Sequence, residues 1–112
     1  MSKGAIILTP FPFSTLAGEK IRPAVILSTE NKDNDVILAL ITAKTDYRPN
    51  KFDLTINPKD KDFAVTGLKT KSVIRLNKIA TLDKKVILGE IGRLSDRQIK
   101  ELNQKLALVF NL

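Results

Sequence analysis

Ile21-Arg22-Pro23-Ala24-Val25-Ile26-Leu27-Ser28 reads as a strand with an arginine and a proline at its mouth. From Ala24 to Ser28 it shows no polar alternation until its end, and a strand apolar on both faces is covered on both. Pro23 sits at the strand opening, where a missing N–H does least harm. Val36 to Ile41 is a second such run and closes on Thr42. Two strands of this kind in a chain of 112 residues predict a closed or half-closed barrel, or a face buried in a dimer.

Upstream, Ala5-Ile6-Ile7-Leu8 predicts a short strand stopping at Pro10. Pro10 to Lys20 reads as a long loop broken by two prolines and Gly18. An arginine fixed where a loop meets a sheet is a place to hold a phosphate. Downstream, Glu30 to Asp35 is a polar turn, and Ala43 to Lys51, with Tyr47 and Pro49, is a second surface loop. Phe52-Asp53-Leu54-Thr55-Ile56 alternates with period two, which predicts a strand with one wet face. Asn57 to Asp62 is a charged turn. Phe63 to Leu68 fits either a short strand or a connection ending at Gly67.

From Lys69 the chain turns densely basic. Ser72, Ile74 and Leu76 share one strand face, and Lys71, Val73, Arg75 and Asn77 share the other, so two cations run along one outward side. Asp83-Lys84-Lys85 turns into Val86-Ile87-Leu88, and Gly89 and Gly92 punctuate the way to Leu94. Ser95 with Gln98 forms a capping box, and Leu94 and Ile99 form a staple around it. Ile99, Leu102, Leu106, Val109 and Phe110 recur at helical spacing opposite Lys100, Asn103, Gln104 and Lys105. Many strands followed by one helix predict a mainly β domain spanning 1–112, a small antiparallel barrel with a C-terminal helix.

Composition narrows the chemistry. The chain holds no cysteine and no histidine, so thiolate chemistry, disulfides and the commonest general base and metal ligand are excluded. Catalysis is left to Arg, Lys, Asp, Glu, Ser, Thr or Tyr47. Nineteen basic against twelve acidic residues give a net charge of +7, which favours nucleic acid, an acidic partner or an anionic surface. Asp33-x-Asp35 and Asp60-x-Asp62 each lack a third carboxylate nearby and read as surface turns, so no metal site is expected. No apolar run approaches the ~20 residues of a membrane span, and none resembles a signal peptide. A soluble cytoplasmic protein is expected.

Taken in order, Gly4, the proline-rich loop ending in Gly18, Arg22-Pro23-Ala24-Val25-Ile26-Leu27-Ser28 and Ala39-Leu40-Ile41-Thr42 form a collinear series. It continues through Gly67-Leu68, Ser72-Val73-Ile74, Ile79-Ala80-Thr81-Leu82-Asp83 and Ile91-Gly92-Arg93-Leu94-Ser95. The series resembles the MazF/PemK family of toxin endoribonucleases from type II toxin–antitoxin pairs. That resemblance implies an SH3-like barrel, a homodimer, metal- and cofactor-independent cleavage of single-stranded RNA, and inhibition by a cognate antitoxin with an acidic, disordered tail. It places the catalytic arginine on Arg22 and the catalytic threonine on Thr42, with Glu19 nearest to a glutamate implicated in some members. Ser72 falls where a serine helps hold RNA. The chain departs from the family at Ala5, usually acidic, and at Ala80, often basic.

An RNA track is expected along Lys20, Lys69, Lys71 and Arg75, with Phe11 and Phe13 stacking bases. Two other classes compete with the nuclease: a gyrase-poison-like toxin of the same barrel, and a non-catalytic RNA- or partner-binding domain.

Overall fold

The computed structural model describes residues 1–10, 20–29 and 32–112. Six antiparallel strands form one curved sheet, a half-barrel, in the order β4-β5-β3-β2-β1-β6. They are β1 (Ala5–Pro10), β2 (Ile21–Ile26), β3 (Asp35–Thr42), β4 (Asp53–Ile56), β5 (Ser72–Asp83) and β6 (Gly89–Arg93), followed by helix α1 (Asp96–Phe110). No helix among the described residues is long and apolar enough to cross a membrane.

The two apolar strands behave as their sequence dictates. In β2 and β3 alternate residues feed two separate cores. Val25, Ala39 and Ile41 join Ile6, Leu54, Ile56, Ile74, Leu76, Leu94 and Leu102 on the helix side. Ala24, Ile26, Val36, Leu38 and Leu40 join Ala5 and Ile7 on the other, against Met1, Ala80, Leu82 and Ile87. The second core exists because β5 is long and shifts register against β3 between Ala39 and Leu40. That irregularity bends the strand so that its far half and the turn after it close over the opposite face. Leu88 N–H donates to Leu8 O at 2.8 Å, and Lys84 N–H donates to Asn34 O at 2.7 Å, tying the turn down.

The helix start is set by local chemistry. Ser95 Oγ accepts from Gln98 N–H at 3.1 Å, and Gln98 Oε1 accepts from Ser95 N–H at 2.8 Å. Leu102 is fully buried. The expected apolar stripe ends early, because Phe110 is 56% exposed where the last turn runs past the sheet. Asn111, at φ 55°, closes the helix in the left-handed conformation. Asp60-x-Asp62 is a turn, as expected, and it also clamps this helix: Asp62 takes Ser95 Oγ at 2.7 Å and both Arg97 Nε and Nη2 at 2.9 and 2.8 Å.

Of the two readings of Phe63–Leu68, the connection ending at Gly67 is the one the chain adopts: a single 3₁₀ turn, Ala64–Thr66, capped by Gly67 at φ 72°. Past the apolar Val86-Ile87-Leu88, strand β6 lies on the glycine-bearing Gly89–Arg93. The reason is a close backbone approach. A Cβ on Gly67 would lie 2.0 Å from Ile91 O, and one on Gly92 would lie 2.3 Å from Thr66 O, so the turn covers the edge strand only where both lack side chains. One local expectation is corrected: Asp53 is not on a wet face, being only 4% exposed.

Candidate functional site

Strand register brings Arg22 and Thr42 together. Ala24 pairs with Leu40 in the β2–β3 ladder, and Thr9 pairs with Arg22 in the β1–β2 ladder. Continued by two residues, the β2–β3 register sets Arg22 opposite Thr42, and the β3–β5 ladder sets Thr42 opposite Val73. Period-two alternation then puts Thr9, Arg22, Thr42 and Val73 in one row across the face that α1 does not cover. Arg22 is half-buried, and Thr42 is 6% exposed.

Thr42 ends its strand and hands the chain to the 43–51 loop. Its Oγ1 accepts the Lys44 N–H at 3.3 Å, which leaves its own proton to donate elsewhere. Beside it lies a pocket of about 90 Å³ lined by Thr42, Lys44, Tyr47, Pro49, Lys71 and Val73. Two lysines at a small pocket with a buried threonine at its wall suit an anion.

The next row along the same face carries Leu40, Arg75 and Asp53, which are register partners. Arg75 is therefore not a solvated cation on an outward face. Its guanidinium carbon lies 4.6 Å from the centre of the Tyr47 ring, and its Nε is buried with no hydrogen-bond partner among the described residues. Tyr47 Oη donates to Asp53 Oδ2 at 2.5 Å, and Asn50 N–H donates to the same oxygen at 2.9 Å. Burial, the Asp53 hydrogen bond and the Asp53 charge push the Tyr47 phenol above its ordinary 10.0, with Arg75 opposing. The phenol is a donor at neutral pH.

The other expected residues fall elsewhere. Ser72 faces the helix side, 3% exposed, and its Oγ donates to Thr70 O at 3.0 Å. It and Lys69 line a second, more apolar cavity of about 450 Å³ with Leu8, Pro23, Leu68 and Ile91, at the mouth of the half-barrel. Lys20 is exposed just ahead of β2. Glu19, Phe11 and Phe13 lie outside the described residues. The Phe52 ring is covered by Lys51 Nζ at 5.2 Å from its centre. Among the described residues no three Asp or Glu carboxylates gather as metal ligands.

Sequence reasoning missed the Tyr47–Asp53–Arg75 cluster. The signal was a tyrosine and an aspartate bracketing a loop, with an arginine on the neighbouring strand, and only the pairing of β4 with β5 unites them.

Comparison with known proteins accords with this geometry. A mycobacterial endoribonuclease in complex with its cognate antitoxin superposes with a TM-score of 0.77 at 17% identity, over 100% of this chain and 96% of that one. The Mycobacterium tuberculosis toxin MazF-mt6 gives 0.76 at 24% identity, over 96% and 97%. The MazE-MazF structure from Deinococcus radiodurans gives 0.74 at 17%, over 100% and 97%. These three share the fold. A search of curated proteins gave no match. The family described as PemK-like, MazF-like toxin of type II toxin-antitoxin system matches residues 2–110. The chain therefore belongs to the PemK-like, MazF-like toxins of type II toxin–antitoxin systems.

Proposed function

We propose that this toxin is an endoribonuclease that cuts single-stranded RNA without a metal ion. The observation that carries the reading is the register that sets Arg22 across from Thr42 beside a lysine-lined pocket. A chain without His or Cys suits a reaction whose nucleophile belongs to the substrate. The ribose 2′-oxygen attacks the adjacent phosphorus, the P–O5′ bond breaks, and the products are a 2′,3′-cyclic phosphate and a 5′-OH. The nucleophile is tethered beside its target, so orientation supplies much of the acceleration.

Charge on the phosphorane and two protons remain. Arg22 presents a planar fork of donors to the non-bridging oxygens. Thr42, with its lone pair engaged by Lys44 N–H, donates to the same oxygens. A guanidinium with a pKa above ~12 is a poor base, so Glu19, or water in its place, takes the 2′-OH proton. The leaving 5′-oxygen takes its proton from a water molecule, so that the proton removed from the 2′-OH and the one delivered to O5′ balance. Lys71, Lys69 and Lys20 track the backbone and Phe11 and Phe13 stack bases, while Arg75, stacked on Tyr47, and Ser72, buried with its hydroxyl given to Thr70 O, bear on the RNA only through the elements they hold. The toxin acts in the cytoplasm as a homodimer and is silenced by an antitoxin whose acidic tail lies on the basic track.

The test is a long single-stranded RNA incubated with purified protein in EDTA, beside Arg22→Ala and Glu19→Gln. Cutting by wild type that is lost in Arg22→Ala is the expected result. Intact RNA with wild type refutes the nuclease and leaves a binding-only toxin. An unchanged rate and pH profile in Glu19→Gln removes that residue as base.

A further inference from the structure

We infer that Asp53 is a positioning residue: through the 43–51 loop it fixes the hydroxyl of Thr42. The inference rests on the nuclease reading for its consequence in catalysis, and on geometry for the link itself. The loop leaves β3 at Thr42 and returns to the sheet at Asp53, so one buried carboxylate stands at the end opposite the hydroxyl.

The connection can be followed bond by bond. Asp53 Oδ2 holds the phenol of Tyr47 and the N–H of Asn50. Tyr47 N–H donates to Lys44 O at 3.3 Å, closing a tight turn over residues 44–47. Lys44 N–H donates to Thr42 Oγ1 at 3.3 Å. Each link is short-range and directional, and both of the long bonds in the series lie at the Lys44 end. That end depends on the tighter bonds at Asp53 for its placement.

A carboxylate is an odd choice for anchoring a loop alone. Asp53 is 4% exposed, and its Oδ1 has no hydrogen-bond partner among the described residues. A neutral amide would hold the same two donors without burying a charge. The carboxylate's register partner is Arg75, whose guanidinium stacks on the Tyr47 ring that Asp53 holds by its phenol. Tyr47 and Lys44, which line the Thr42 pocket, are thus tied back to Asp53.

The experiment compares wild type, Asp53→Ala, Asp53→Asn and Tyr47→Phe. Cut sites are first mapped with wild type on a long single-stranded RNA. In Asp53→Ala and Tyr47→Phe, kcat falls by about tenfold or more while KM stays within about twofold, as expected when a reacting group is misplaced rather than binding lost. Asp53→Asn, which keeps an accepting oxygen for both donors, restores most of kcat. Three-bond couplings across the Thr42 χ1 bond supply a readout without RNA: one rotamer in wild type, averaged rotamers in Asp53→Ala. If wild type leaves RNA intact, the nuclease reading fails alone, and the couplings still decide the positioning. A single unchanged Thr42 rotamer in both Asp53→Ala and Tyr47→Phe overturns the inference, as does unaltered kcat in both.

Discussion

Thr42→Val separates chemistry from architecture at this site. Valine keeps the β-branched shape that suits the end of β3 and replaces only the hydroxyl. Thr42 is 6% exposed, so the added methyl enters a largely buried position without new volume. Among the described residues the hydroxyl's partner is Lys44 N–H, at 3.3 Å on an exposed loop residue that water can satisfy. Losing that bond costs under about 1 kcal/mol, a drop in Tm of roughly 4 °C for a domain of this size. If the same hydroxyl donates to the phosphorane oxygens, its loss removes one preorganised donor, worth a factor of about 10²–10³ in rate. The rate change should therefore exceed the stability change by several-fold in free energy. Single-turnover cleavage of a mapped RNA, with thermal unfolding in the same buffer, measures both. A cleavage rate within about threefold of wild type, far short of an oxyanion-donor loss, would refute the assignment.

Two further expectations concern the frame around the site. Asp62 is held at about 2, below its ordinary 3.8, by the Arg97 fork and then the Ser95 hydroxyl. A depressed carboxyl contributes stability that is complete above 3.8 and is lost as pH falls through about 2. Thermal unfolding across that window should fall more steeply for wild type than for Asp62→Asn; parallel curves would contradict the clamp. Gly92→Ala would put a Cβ 2.3 Å from Thr66 O, whereas a Cβ at Gly89 meets nothing within 4 Å. Urea unfolding should show a loss of roughly 1–3 kcal/mol or more for Gly92→Ala, as for overpacking, and little change for Gly89→Ala.

What the sequence made legible was local. The capping box at Ser95 and the strands at the period-two and apolar runs depend on neighbours a few residues away, and each element forms, with Asp53 buried and Ile37 exposed against the pattern. What it hid were pairings across the sheet. The full length of β5 depends on a register shift opposite Ala39 and Leu40, which no single-strand pattern encodes. β6 falls on glycines because its neighbour is a backbone turn, a demand for empty space rather than for apolar side chains. Asp53 follows the alternation of its strand, yet Tyr47 arrives from the loop and Arg75 from the next strand to cover it. Arg22 and Thr42 were legible as candidates by resemblance, and their adjacency follows from a register that sequence alone leaves open.

The position of the site follows from the way this sheet divides its two faces. α1 packs on β4 and β5 and covers one face with Leu102 and Leu94. Among the described residues no α-helix packs on the other face, which is closed at the far end, where the bent half of β5 and the turn after it bury Val36 and Leu38. At the near end the same face would otherwise expose the apolar ends of β2 and β3. There the chain changes residue type instead: Ala24 gives way to Arg22 and Leu40 to Thr42, and Leu40 already has Arg75 as its β5 partner. One helix covers one face, and the corner that α1 leaves to the strands is where polar side chains can stand on a rigid frame. Moving charge into that corner by Leu40→Lys would test the division, since Leu40 is 9% exposed beside Arg75. A lysine there would have to displace its neighbours or bury an unpaired cation, a change that costs several kcal/mol, on the order of 3–5, by analogy with an uncompensated buried charge. Retention of wild-type stability in urea would mean that the corner is wetter than the packing of Leu40 against Ala24 and Leu38 requires.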